Sequence, residues 1–173
     1  MIEMDGSKFT FDFIEKHIRK RTFGVFTTID SKGRPHSTGL LFGVAPPESK
    51  FALFSVVGSN YQKAKNVRRN PNVSLVIPFP HHYLRFVPDN YVMFRGKAEF
   101  IGLDDTDFRW AFQQRRILRM NLDSDMLNSE DAVVIKLTPE PKVFVYGLGY
   151  SIMELRSAHT EGSYSVTIPE SRL

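Results

Sequence analysis

The sequence contains no cysteine, which removes disulfide staples, thiolate nucleophiles, thiolate-bound zinc and iron–sulfur clusters at once. Any redox chemistry has to be borrowed from a cofactor. No stretch approaches 18 uninterrupted apolar residues, so a membrane-spanning helix is not expected. The opening Met1-Ile2-Glu3-Met4-Asp5-Gly6 lacks the basic region and apolar run of a secretory signal, which makes the cytoplasm the expected compartment. Tryptophan occurs once, yet the 173 residues carry 15 Phe and 42 % apolar content, enough to bury a sizeable core without metal or disulfide. Fixed-period repeats and low-complexity blocks are absent, which argues for one domain over residues 1–173. Twenty-three Lys+Arg against 19 Asp+Glu give a net charge of +4, a mild excess that suits anionic partners.

Along the chain, Phe11, Ile14 and Ile18 fall at helical spacing, predicting a leading helix over residues 11–20. Gly24–Ile29 reads as a strand that turns at Asp30-Ser31-Lys32-Gly33 into a second strand, Pro35–Val44. A third strand, Lys50–Val57, follows the Pro46-Pro47 break. Ser59 and Asn60 then form a helix start signal and Pro71 a stop, with Tyr61, Ala64 and Val67 expected to face inward. Val73–Ile77, Tyr91–Ile101, Ala132–Leu137 and Val143–Tyr146 complete seven strands. Asp104, Asp105 and Asp107 suit the start of a helix running to about Leu122, with Arg115, Arg116 and Arg119 in its last turns. Short strands joined by hairpin turns, with helices inserted, predict a mainly β, α+β fold: a six- to seven-stranded antiparallel split barrel. The polar tail 158–173 has no clear periodicity.

The most informative local unit is the third strand ending in Gly58-Ser59-Asn60 and running into a basic helix. Free backbone N–H groups at a helix start, hydroxyl and amide donors, and Lys63 about one turn in would make a phosphate pocket. The plainer alternative is that Ser59 or Asn60 caps the helix while Lys63, Lys65, Arg68 and Arg69 form a solvated face. No GxxxxGK[ST] motif is present.

Taken in order, GRPHSTGLLFGV, KFALFSVVGSNYQKAKNVRRNPNVSLVIPF and NYVMFRGKAEFIG resemble the pyridoxamine 5'-phosphate oxidase-like family of flavin-binding split barrels. The resemblance implies an FMN site at a homodimer interface and a small-molecule substrate. It places Ser37, Thr38, Gly39 and Leu40 along the isoalloxazine ring, mostly through backbone groups, and Phe54 and Ser55 at the end of the third strand. The phosphate pair falls on Gln62 and Lys63, with Ser59 and Asn60 as further donors, and a polar flavin-facing position falls on Tyr91 or its neighbour Asn90. Departures narrow the expectation. Ser37 and Phe42 stand where pyridoxamine phosphate oxidases carry basic residues, only Lys63 keeps the charge of their Arg-Lys pair, and Gly147–Arg156 lacks their R-x-H-x-R-like run. The broader group of flavin reductases and nitro-compound reductases fits better.

Within that reading FMN does the electron transfer, with a reduced nicotinamide or similar donor, and the sequence offers no nucleophile motif or paired carboxylates as catalytic residues. Alternatives are a deazaflavin-dependent reductase, a haem-binding relative, a non-catalytic flavin store, and a small basic barrel for single-stranded nucleic acid. The last is disfavoured because the charges cluster on one helix. His81-His82 lacks a third ligand at usable spacing, so no metal site is expected. His36 is a candidate polar contact, and Trp110 reads as core packing.

Overall fold

The computed structural model describes residues 9–81, 88–123, 131–157 and 162–173. Helix α1, Phe11–Ile18, is capped by Thr10, whose side chain accepts from the Phe13 N–H. Its Phe11, Ile14 and Ile18 are buried, as their spacing requires. Strands β1 (Phe23–Ile29) and β2 (Pro35–Leu41) form the expected hairpin, with Phe26 opposite Thr38. The Asp30 carboxylate accepts from the Lys32 and Arg34 amides and pairs with the Arg34 guanidinium, which pulls its carboxyl down to about 2.

The expected Pro35–Val44 strand is two strands. Phe42 breaks away from β2, and β3 (Gly43–Val44) pairs instead with β4 (Leu53–Gly58). After helix α2 (Gln62–Arg69) come β5 (Asn72–Phe79) and β6 (Asn90–Ile101), then β7 (Ala132–Pro139) and β8 (Lys142–Tyr146). The seven-strand path β2-β1-β5-β6-β7-β4-β3 is antiparallel at every junction and curls into a half-barrel, with β8 branching from β6. Part of the featureless tail adds a ninth strand, β9 (Ser163–Thr167), on β8.

The chosen faces follow period-two burial. On β1 and β5, Phe26, Val73, Leu75 and Ile77 point into the main core, while Phe23, Val25 and Val76 lie on the outer face. Strand β4 is buried on both sides. Leu53 and Val57 join the main core, while Phe54 joins a second cluster with Phe108, Phe112 and Leu118.

That second cluster explains a correction. Instead of one helix to Leu122 there are two, α3 (Thr106–Gln113) and α4 (Arg116–Leu122), with Arg115 extended between them (φ −128°, ψ 135°). The break turns α4 so that Leu118 is buried beside Phe108 and Phe112. Arg115 and Arg116 therefore sit at the start of α4 and only Arg119 lies in its last turn, so the dipole argument holds for Arg119 but not for Arg115 or Arg116. Asp105 caps α3, accepting from the Phe108 N–H. A short helix not foreseen, α5 (Ile152–Ser157), precedes β9.

Gly147, just past β8, has φ +72°. A Cβ there would lie 2.0 Å from the Asn90 side-chain oxygen, the group that contacts the His81 ring. Gly147→Ala is expected to cost at least about 1–2 kcal/mol from backbone strain alone. A thermal melt unchanged in that variant would contradict this.

Candidate functional site

Strand β2 is an edge strand. The Phe42 N–H donates to the Thr22 carbonyl, so even-numbered residues here face β1 and the odd-numbered ones, Ser37, Gly39 and Leu41, turn their N–H and C=O to the open edge. Two side chains meet that edge. Ser55 of β4, buried, donates through its hydroxyl to the Leu41 carbonyl at 2.8 Å, and Lys63 of α2 donates to the Gly39 carbonyl at 3.3 Å. The opening between β2 and β4 is thus a seam lined by backbone donors of β2, with α2 beginning beside it.

Helix α2 is held there by a buried polar chain. Gln62 donates to the Asn66 side-chain oxygen, Asn66 donates to the Thr28 hydroxyl at 2.9 Å, and Thr28 donates to the His36 carbonyl. Asn66 and Thr28 are fully buried, where such groups require partners. Neither was foreseen, although an asparagine four residues after Gln62, on the side of Ala64 and Val67, was the available sign.

The start of α2 differs from expectation. Tyr61 is the N-cap residue, makes no capping bond, and is 54 % exposed rather than inward. Ser59 and Asn60 do not cap the helix, because both side chains turn to the Asp131 carboxylate. The first turn therefore carries neither a side-chain cap nor an acidic residue, which leaves its amides and dipole facing outward.

Lys63 is half-buried, and loss of water pushes its ammonium pKa below the usual lysine value. Among the described residues the ion pairs are Arg19 and Arg172 with Glu15, Arg34 with Asp30, and Lys136 with Glu99; none includes Lys63. A partly dehydrated cation without a carboxylate, next to uncapped helix amides, is suited to an anion.

The other expected residues are placed as follows. Gly39, Ser55 and Lys63 meet at the seam, whereas Ser37 offers it only its backbone, its hydroxyl being paired with that of Thr27 at 2.8 Å. Thr38 and Leu40 face the barrel interior, where the Thr38 hydroxyl and the His36 Nδ1 are buried without a hydrogen-bond partner. The Phe54 ring points away, toward Phe108. Gln62 is near but its amide is committed to Asn66. Tyr91 is separated from β2 by β1 and β5, three strand spacings or roughly 14 Å, and stacks on Tyr146 at 5.5 Å. His81 contacts Asn90, while His82 lies outside the described residues. No cluster of three or more metal-ligating side chains occurs among the described residues. Nor is any helix there long and apolar enough to cross a membrane.

A family model described as pyridoxamine 5'-phosphate oxidase matches residues 11–143. No curated protein matches the sequence. Among solved structures, the haem storage protein HutZ of Vibrio cholerae is similar with a TM-score of 0.65 and 20 % identity, over 82 % of this chain and 97 % of its own. A haem-binding protein of Mycobacterium smegmatis gives 0.64 at 18 % identity, over 87 % of this chain, which spans 54 % of that protein. A Listeria innocua protein provisionally named pyridoxamine 5'-phosphate oxidase gives 0.52 at 20 % identity, over 78 % of this chain and 95 % of its own. At these identities the likeness is one of fold.

Proposed function

The chain belongs to the pyridoxamine 5'-phosphate oxidase family, and from that premise we propose that it is a homodimeric FMN-binding oxidoreductase whose flavin lies in the seam between β2 and β4. The observation that carries this reading is Lys63, dehydrated and without an acidic partner, reaching the open edge of β2 from the uncapped start of α2. Lys63 and the first-turn amides of α2 would hold the phosphate. The odd-numbered N–H groups of Ser37 and Gly39 would face the ring; the space beside the Gly39 Cα is filled by the Phe23 ring, 2.8 Å from where a Cβ would stand. Bound there, FMN supplies hydride acceptance from a reduced nicotinamide or similar donor and its delivery to a small acceptor. The residues of the chain bind, orient and exclude water.

Tyr91 is exposed on β6, three strands from β2 in the sheet, a position that suits a site shared between two copies. The outer face of β1, β5 and β6 offers the surface for the second copy: Phe23 is 50 % and Tyr91 37 % exposed, with Val25, Val76 and Met93 partly open between them. Apolar residues set side by side across three strands are typical of a contact surface. Phe23→Glu is expected to shift the protein toward monomer in sedimentation velocity; an unchanged dimer would move the interface elsewhere.

The pH dependence of binding follows from Lys63. Burial lowers its pKa in the free protein, and a phosphate beside it would favour the charged form and raise the value again. Binding then takes up a proton, so affinity is full below the lowered pKa and falls as pH rises through the interval between the two values. FMN titrations at alkaline pH should show that fall in the wild type and a flat profile in Lys63→Gln.

A second reading is haem at the same scaffold, favoured by His36, whose Nδ1 is buried without a partner on the strand that lines the seam. Similar solved structures carry the words haem storage and haem-binding in their names. Reconstitution with FMN and with haem in parallel separates the readings. A flavin spectrum retained through gel filtration supports the first. A Soret band retained in the wild type and lost in His36→Ala, with FMN washing away, replaces it by the second.

A further inference from the structure

Behind the seam, on the other side of the β2–β3 break, lies an open pocket of about 230 Å³. Its walls come from three separate places: the end of α1 and the start of β1 (Arg19, Arg21), the Phe42–Val44 turn, and the α3–α4 junction (Trp110, Gln114, Arg115). Three arginines are among its lining residues and no acidic residue is; the Arg19 guanidinium also donates to the Ala45 carbonyl. Arg19 is matched by Glu15, but Glu15 also serves Arg172, so one carboxylate is shared by two arginines. Arg21 lies over the Phe79 ring and Arg115 donates to the Lys20 carbonyl; neither is in an ion pair among the described residues. Trp110 is half-exposed, with the Arg19 guanidinium 5.9 Å from its ring centroid.

We infer that this pocket is a second ligand site, which takes a nucleoside monophosphate with its phosphate among Arg19, Arg21 and Arg115 and its base against Trp110. Three arginines drawn from two separate parts of the chain match a tetrahedral dianion with several acceptor oxygens better than a planar carboxylate, which one arginine can satisfy alone. The volume is below the roughly 300–1,000 Å³ that encloses a whole drug-sized ligand. It therefore accepts the phosphate and leaves sugar and base along the mouth, where an indole face supplies a stacking surface. The extended backbone at Arg115 acquires a role here: an unbroken helix would not hold Arg115 at the junction where the pocket opens. The site stands whether or not the seam holds a flavin.

Trp110 is the sole tryptophan of the chain, so its fluorescence reads the pocket directly. Titration with adenosine 5'-monophosphate is expected to change the emission saturably, with affinity falling as salt rises, while adenosine gives no saturation and inorganic phosphate competes more weakly. Arg115→Gln should raise the dissociation constant several-fold, and Arg21→Gln/Arg115→Gln at least tenfold. Arg115 is exposed, so the single variant tests the site with little risk to folding. Lys63→Ala should bind the nucleotide as the wild type does, which separates this pocket from the seam. No saturable change, undiminished binding in both arginine variants, or loss in Lys63→Ala instead would each overturn the assignment. Inorganic phosphate binding as tightly as the nucleotide would overturn the base-stacking half of it.

Discussion

Lys63→Ala is expected to weaken FMN binding by roughly 10- to 150-fold, the equivalent of the 1.5–3 kcal/mol that a hydrogen bond to a charged group contributes, with little change in melting temperature. The asymmetry comes from what Lys63 does with and without a ligand. Without one, its ammonium donates to an edge carbonyl at 3.3 Å that water can also reach, and has given up solvent without gaining a carboxylate. Removing it costs the fold little. With a phosphate present, the same group forms a charge-assisted bond in partly dehydrated surroundings, where it is worth more. Lys65, two residues on, is exposed and points to another side of α2. Lys65→Ala is the control, and should leave affinity within about twofold. Equal losses in the two variants would mean that only the general charge of α2 matters, and no loss in Lys63→Ala would take the phosphate away from the seam.

The parts of this molecule legible in its sequence are those set by one kind of force. Strand and helix positions follow from burial periodicity, so Phe11, Ile14 and Ile18 on α1, or Phe26 and Leu75 on neighbouring strands, are placed correctly by pattern alone. For Lys63 the sequence leaves two readings, a phosphate contact or a solvated helix face, and the structure adds its partial burial and its bond to the Gly39 carbonyl. What the sequence hides is competition between partners. Ser59 and Asn60 have the side chains of caps, but Asp131, more than 70 residues away, outcompetes the α2 amides for them. The α3–α4 break has no glycine or proline to announce it; burial of Leu118 in a cluster built from β4 and α3 decides it. The tail becomes β9 because β8 presents a free edge, a template that exists only after folding. Phe54 and Tyr91 show the same limit at the site. Their chain positions match the family pattern, yet one ring turns into the second cluster and the other lies three strands away.

The largest stability effect is expected at Glu15, the one acidic residue that is buried among those described. Its carboxylate receives the Arg19 guanidinium from one turn along α1 and both Nη groups of Arg172 at 3.1 and 3.2 Å. Arg172 in turn donates to the Ser49 and Pro46 carbonyls, its own carbonyl accepts from the Phe51 N–H, and Arg19 donates to the Ala45 carbonyl. One carboxylate therefore fastens α1, the β3–β4 connection and the C-terminal turn to each other. Removing one member of a buried pair costs about 3–5 kcal/mol because the remaining charge keeps its desolvation penalty. The arginine heads here retain some water, with side-chain exposures of 23 % and 16 %, which moves the expectation for Glu15→Ala to about 3 kcal/mol. In a chain of this size that corresponds to a fall of roughly 6–12 °C in Tm. Arg172→Ala should cost less, since Glu15 keeps Arg19, and the double variant should cost less than the sum, because the second removal relieves the charge stranded by the first. Strict additivity in that cycle would show that the three groups do not act as a unit. A Glu15→Ala melt within 2 °C of the wild type, roughly the effect of 1 kcal/mol or less, would show that the C-terminal turn is held by its backbone bonds alone.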